Sequence, residues 1–185
     1  MKYTPSELAQ VWHCNPHFLG VQEYITEIVY DTRRSSRSDQ SLFVALKGTR
    51  DGHDFIRSAY DLGIRYFLLE ESRVSEFKDL SDACLFGVQS PLGALQELAI
   101  FHRKKLHLPV VGITGSNGKT IVKEWLYELL KADFNIYKSP RSFNSQLGVA
   151  LSILGIDRTH QLAIIEAGVS QEGEMDSLQA MIQPN

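Results

Sequence analysis

One stretch constrains this chain more than any other: Val110-Val111-Gly112-Ile113-Thr114-Gly115-Ser116-Asn117-Gly118-Lys119-Thr120, followed by Val122-Lys123-Glu124-Trp125-Leu126. It reads as a buried strand, a glycine-rich turn and the start of a helix. Glycine lets a backbone turn tightly and bring its N–H groups against an anion. The helix N-terminus adds its partial positive charge there. Lys119 can reach terminal phosphates and the Thr120 hydroxyl can ligate Mg²⁺. Thr114, Gly115, Ser116, Asn117, Gly118, Lys119 and Thr120 are therefore the expected nucleotide cradle. The spacing departs from the generic phosphate loop, which would place its first glycine at position 113; here that residue is Ile113, and the glycine stands one earlier at Gly112. The plain alternative is a turn that only joins a strand to a helix. Gly-Lys-Thr directly after an apolar strand speaks against it.

At 185 residues and 43% hydrophobic, the chain is long enough for one large or two small domains with a real core. Its net charge of −3 argues against a nucleic-acid binder driven by phosphate contacts. Arg33-Arg34 and Arg103-Lys104-Lys105 read as solvated faces or helix ends. Cys14 and Cys84 form no CxxC pair, so no bridge is expected and a reducing cytoplasm is the natural setting. The N-terminus has no apolar signal core, and no apolar run approaches a membrane span.

Along the chain, Thr4 caps a short helix with Pro5 and Glu7 in its first turn. Strands are expected at 25–31, 41–46, 64–69 and 85–88. Between the second and third, Asp54 is expected to cap a helix running to Leu62, with Phe55, Ala59 and Leu62 at helical spacing. A second half begins near Ser90-Pro91 with a helix over 92–105 that places Leu95, Leu98, Ala99 and His102 on one face. After the glycine loop, the helix to about Lys131 is expected to bury Trp125, Leu126, Leu129 and Leu130. A strand at 135–138, an apolar helix over 146–154, a strand at 161–166 and a helix over 173–181 follow. Alternating strands and helices predict an α/β fold. The glycine loop then sits at the carboxyl end of its strand, where open parallel sheets bind ligands.

Glu166 is the second informative residue: it ends an apolar strand, and Ala167-Gly168 turn away from it. Such a carboxylate in a phosphate-loop protein faces the metal, so Thr120 and Glu166 are the candidate Mg²⁺ ligands, directly or through water. Position alone is equally compatible with a carboxylate that merely meets solvent. Asn144 stands in a polar loop, where position alone favours an ordinary turn residue. Asp31, Thr32 and Arg33, with the turn over 48–53, are polar groups at strand ends that could line a pocket or simply cap strands. The histidines show no metal-ligand spacing.

Together these residues resemble a known family. Gly112 to Thr120 matches the glycine placement of the Mur ligase phosphate loop. Asp31-Thr32-Arg33, Leu42-Phe43-Val44-Ala45-Leu46-Lys47-Gly48 and Asp51-Gly52-His53-Asp54-Phe55 resemble the N-terminal domain of the branch that uses D-Ala-D-Ala. Asn144, Leu147-Gly148-Val149, Ile165-Glu166-Ala167-Gly168 and Gly173-Glu174-Met175 fall where that branch carries its central-domain motifs. The chain reads Asn144-Ser145 where many members read Asn-Asn, and Val169-Ser170-Gln171-Glu172 where they often read Ala-Asn-His-Gln. Its wording there looks like a group fused to an alanine racemase, in which case pyridoxal phosphate would belong to a further domain.

The resemblance implies an N-terminal α/β domain over 1–89 for a UDP-sugar substrate, and the first part of a mostly parallel, doubly wound ATPase domain over 90–185. It implies ATP-dependent joining of D-Ala-D-Ala to UDP-N-acetylmuramoyl-tripeptide through an acyl phosphate, in peptidoglycan precursor synthesis. Lys119 and Glu166 would be catalytic, Asn144 would help bind nucleotide, and Asp31, Thr32 and Arg33 would help hold the uridine part. Neighbouring expectations are another Mur-type ligase, a folylpolyglutamate synthase, or a fragment that binds nucleotide or UDP-sugar without turnover. The chain is expected to be an N-terminal piece of the enzyme, inactive alone.

Overall fold

The structure, a computed structural model, describes residues 1–17, 23–32 and 38–185; Arg33 and most of the polar loop after it lie outside the described residues. The chain divides into two compact units, Met1–Ala94 and Leu95–Asn185.

In the first unit, helix α1 (Pro5–Val11) begins with a capping box. The Thr4 hydroxyl accepts from the Glu7 N–H at 3.2 Å, and the Glu7 carboxylate accepts from the Thr4 N–H at 2.8 Å. Strands β1 (Glu27–Val29), β2 (Ser41–Val44), β3 (Tyr66–Glu70) and β4 (Cys84–Val88) form a parallel sheet in that order. β2 is buried on both faces, as the apolar run Leu42-Phe43-Val44 requires in a covered parallel sheet. Phe43 and Phe67, with ring centroids 6.2 Å apart, join Ile56, Ala59, Ile64 and Leu85 in the core. The first strand is shorter than its apolar run suggests. Ile25 pairs antiparallel with Tyr3 instead, and Tyr30 and Asp31 leave the ladder.

The expected Asp54 cap is corrected by the structure. Asp51 is the capping residue, accepting from the His53 N–H at 3.0 Å to start a 3₁₀ turn over Gly52–Phe55. α2 (Ile56–Asp61) follows, and Leu62 is exposed. Asp51 wins because its carboxylate also meets the buried His53 ring, 2.6 Å from Nδ1. Nε2 of that ring accepts the Glu70 N–H at 3.1 Å, so Nδ1 carries the proton and donates to Asp51. The turn is thereby tied to the end of β3.

Helix α3 (Pro91–Lys104) buries Leu95, Leu98, Ala99 and His102, the face its spacing indicates. The second unit then holds β5 (Val110–Ile113), α4 (Lys119–Leu130), β6 (Ile136–Lys138), α5 (Gln146–Gly155), β7 (Leu162–Glu166) and α6 (Glu174–Ile182). Its parallel sheet has the order β5-β7-β6, so α4 carries the chain across the central strand. α5 is buried along most of its length and α6 contributes Leu178, Met181 and Ile182. Among the described residues no helix is long and apolar enough to cross a membrane.

α4 inverts its expected packing. Trp125 and Leu129 are 69% and 76% exposed, Leu126 and Leu130 are only partly covered, and the one buried side chain of the helix is Lys123. The apolar residues satisfy helical periodicity, but the helix is rotated to present a charged residue to the end of the sheet.

Candidate functional site

The register of the second sheet builds the site. Ile113, the last residue of β5, is paired with Glu166, the last residue of β7. The Ala167 N–H donates to the Ile113 carbonyl at 2.8 Å, extending the ladder by one bond. The glycine loop therefore leaves its strand beside the Glu166 carboxylate, at the carboxyl edge of a parallel sheet.

The loop itself is open. Residues 114–118 are exposed, and Gly118 is the N-cap residue before α4, with a φ of +80° in the left-handed region that glycine tolerates. No side-chain hydrogen bond caps this helix at Gly118, so its first-turn N–H groups have no capping side chain at the end that follows the loop. Lys119 Nζ lies 2.7 Å from the Gly115 carbonyl, folded over the loop. Gly112 plays no part in the turn: it lies within β5 opposite Ile165, where an added methyl would meet Ile182 and Pro184 at ordinary contact distance.

Behind the loop, three candidates converge. The Thr120 hydroxyl donates to Glu166 Oε2 at 2.9 Å, and Asn144 Nδ2 donates to Oε1 at 2.9 Å. Asn144 is more than a turn residue, since its carbonyl also accepts the Gly168 N–H at 2.8 Å. Glu166 is 1% exposed, so its charge is met by neighbours rather than by bulk water. Its backbone N–H donates to the buried Ser139 hydroxyl at 3.1 Å.

The sequence reading overlooked Lys123. Its Nζ lies 3.3 Å from Glu166 Oε2 and 3.1 Å from the Ser139 carbonyl, and it also donates to the Arg141 carbonyl. The available signal was its position, four residues after Lys119 on the same helix, which puts both lysines and Thr120 on neighbouring faces.

The donor set suits a hard cation. Thr120 and Glu166 offer oxygen, and among the described residues no cluster of three or more His, Cys, Asp or Glu side chains could hold a metal alone. A cation that keeps several waters and shares phosphate oxygens, as Mg²⁺ does, fits such a sparse set. The substrate candidates Asp31 and Thr32 lie in the first unit, just after β1, both partly buried.

Residues 113–185 match the Mur ligase middle domain. The UDP-N-acetylmuramoyl-tripeptide–D-alanyl-D-alanine ligase of Bacillus subtilis (strain 168) is 31% identical over 181 residues, 97% of this chain and 38% of that protein. A crystal structure of MurF from Acinetobacter baumannii superposes with a TM-score of 0.87 at 26% identity, covering 100% of this chain and 40% of that one. MurF ligase from Thermotoga maritima, solved in complex with ADP, superposes with a TM-score of 0.74 at 33% identity over 86% of this chain and 36% of its own. The chain thus spans about two-fifths of the length of the relatives it matches.

Proposed function

The chain carries the middle domain of the Mur ligase family over residues 113–185, and from that premise we propose that it is part of an ATP-dependent ligase that joins D-Ala-D-Ala to UDP-N-acetylmuramoyl-tripeptide. The observation that carries the reading is the meeting of Thr120, Asn144 and the buried Glu166 behind an uncapped helix N-terminus. That arrangement suits phosphoryl transfer, in which positioning and charge neutralisation do most of the work.

In this reading the loop N–H groups and Lys119 hold the phosphates and stabilise the charge that develops on the transferred group. The terminal carboxylate of the tripeptide attacks the γ-phosphorus, and ADP leaves. The amine of D-Ala-D-Ala then attacks the acyl carbon, phosphate leaves, and the amine loses its proton. Thr120 and Glu166 would hold Mg²⁺, which supplies charge neutralisation when bound. Asn144 fixes one carboxylate oxygen of Glu166 while Thr120 engages the other. Asp31, Thr32 and Arg33 would serve the uridine part of the substrate. A cytoplasmic setting is supported by the unbridged thiols Cys14 and Cys84.

The test is Lys119→Ala in the complete enzyme, assayed for ADP release with UDP-muramoyl-tripeptide and D-Ala-D-Ala. Ligation should be abolished with the thermal transition unchanged, because Lys119 is only partly buried and its hydrogen bond is to the Gly115 carbonyl of the loop. Retained turnover would sink the role. Ligation of a diamino acid or of glutamate onto folate by the wild type, in place of D-Ala-D-Ala, would redirect the reading to another branch.

A further inference from the structure

We propose that Lys123 is a positioning residue. Its buried ammonium locks the Glu166 carboxylate and the Ser139–Arg141 turn into the arrangement that lets Thr120 and Asn144 share Glu166 between them. The inference rests on the reading of this site as one for a nucleotide and its divalent cation.

Lysine is almost never fully buried unless paired, because stripping water from an ammonium is expensive. Lys123 is 0% exposed and is the only buried side chain of α4. An ammonium has three donors. Here the three acceptors are the carbonyls of Ser139 and Arg141 and Oε2 of Glu166, so the group is saturated. Two of those acceptors belong to the turn between β6 and Asn144. Arg141 has a φ of +47°, a left-handed conformation unfavourable for arginine, and its carbonyl is one of the two that Lys123 engages. The turn is held in a conformation it would not choose alone, and the holding group is the same ammonium that fixes Glu166.

The consequence is a division of labour along one helix. Lys119 sits on the open loop, Thr120 faces the carboxylate, and Lys123 supports both the carboxylate and the turn from behind. Lys123 does not reach the loop's open side, so it acts through Glu166 and Asn144.

The experiment uses the 185-residue chain, Lys123→Met, Glu166→Gln and the double variant Lys123→Met/Glu166→Gln. Amide exchange is followed at Glu166 and Gly168, whose N–H groups bond to Ser139 and Asn144. Calorimetry measures ADP affinity with and without Mg²⁺. In Lys123→Met, exchange at those two amides should rise about tenfold relative to the β5 amides. The tightening of ADP by Mg²⁺ should be lost, while metal-free affinity stays within about twofold, since the loop is untouched. The double variant should match Glu166→Gln in Mg²⁺ response, because residues acting through one another do not add.

Unchanged exchange, or Mg²⁺ tightening that survives in Lys123→Met, overturns the proposal. If Lys123→Met does not fold, the double variant, which carries no unpaired buried charge, decides: a Mg²⁺ response weaker than that of Glu166→Gln, or β5 exchange raised as much as Glu166 and Gly168, means a merely structural lysine. If the wild type binds no ADP at all, the nucleotide reading falls, and the exchange comparison still decides the role of Lys123.

Discussion

Glu166 takes hydrogen bonds from Thr120, Asn144 and Lys123 and is itself buried, so its replacements should separate cleanly. Glu166→Ala leaves the Lys123 ammonium buried and short of its partner. Breaking a buried pair in this way costs about 3–5 kcal/mol. Glu166→Gln keeps the shape and one acceptor, and should cost clearly less; urea midpoints in the order wild type, Gln, Ala check this, and equal midpoints would refute it. Gly168 gives a second probe. A methyl there would come within 3.0 Å of Asn144 Cγ, so Gly168→Ala should push the amide off Glu166. Nucleotide affinity should fall several-fold while the thermal transition moves little; unchanged affinity would contradict the role given to Asn144. His102 sets a pH dependence. Burial holds its imidazole below the ordinary value, and Nε2 lies 2.8 Å from the Ile156 carbonyl. A folded pKa below the unfolded value means the unfolded state binds more protons, so stability is present above about pH 6.5 and declines as pH falls through the folded pKa. The urea midpoint should drop between pH 7.5 and 5, and the drop should shrink in His102→Gln. A drop of the same size in that variant would assign the dependence to other groups.

At the scale of elements, α4 departs furthest from expectation. Its spacing of Trp125, Leu126, Leu129 and Leu130 is that of an amphipathic helix, but periodicity reports only that a face exists, not which way it is turned. The sheet edge below α4 is polar: it holds Glu166 and the carbonyls of Ser139 and Arg141, and these select Lys123. Trp125→Ala should therefore change stability by no more than about 0.5 kcal/mol, as for other exposed positions. Trp12→Ala in α1's C-terminal turn should cost about 3–5 kcal/mol. Trp12 is buried, donates to the Ala94 carbonyl at 2.8 Å and packs edge-on to Phe86 at 5.2 Å. Denaturant midpoints of the two variants test the contrast, and a large loss at Trp125 would mean that its face is covered in solution. The short strand β1 and the Asp51 cap departed for a related reason. Propensity is local, whereas Ile25 was claimed by Tyr3, and the Asp51 carboxylate by a buried histidine.

For the whole molecule, two parallel sheets arise from one alternating pattern, one in each compact unit. The site that the second unit assembles is complete for an uncapped loop, a hydroxyl and a carboxylate, yet the chain spans only about two-fifths of its relatives. We expect the 185-residue chain to bind Mg·ADP in calorimetry and to release no phosphate from ATP; rapid hydrolysis would contradict that. By itself, the sequence determined the α/β class and the strand–glycine loop–helix unit, and it singled out Thr120 and Glu166 as candidates at helix and strand ends without deciding whether Glu166 faces the loop or solvent. These follow from local periodicity, glycine chemistry and the rule that parallel sheets bind at their carboxyl edge. Only the tertiary structure decided that the Asn144 amide bonds the Glu166 carboxylate, that Gly112 does not shape the loop, and that a lysine rather than a tryptophan is the buried residue of α4. Those outcomes depend on which side chains meet across the pairing of β5 with β7 and the turn after β6. Distance along the chain carries no information about such meetings; the register of the sheet does.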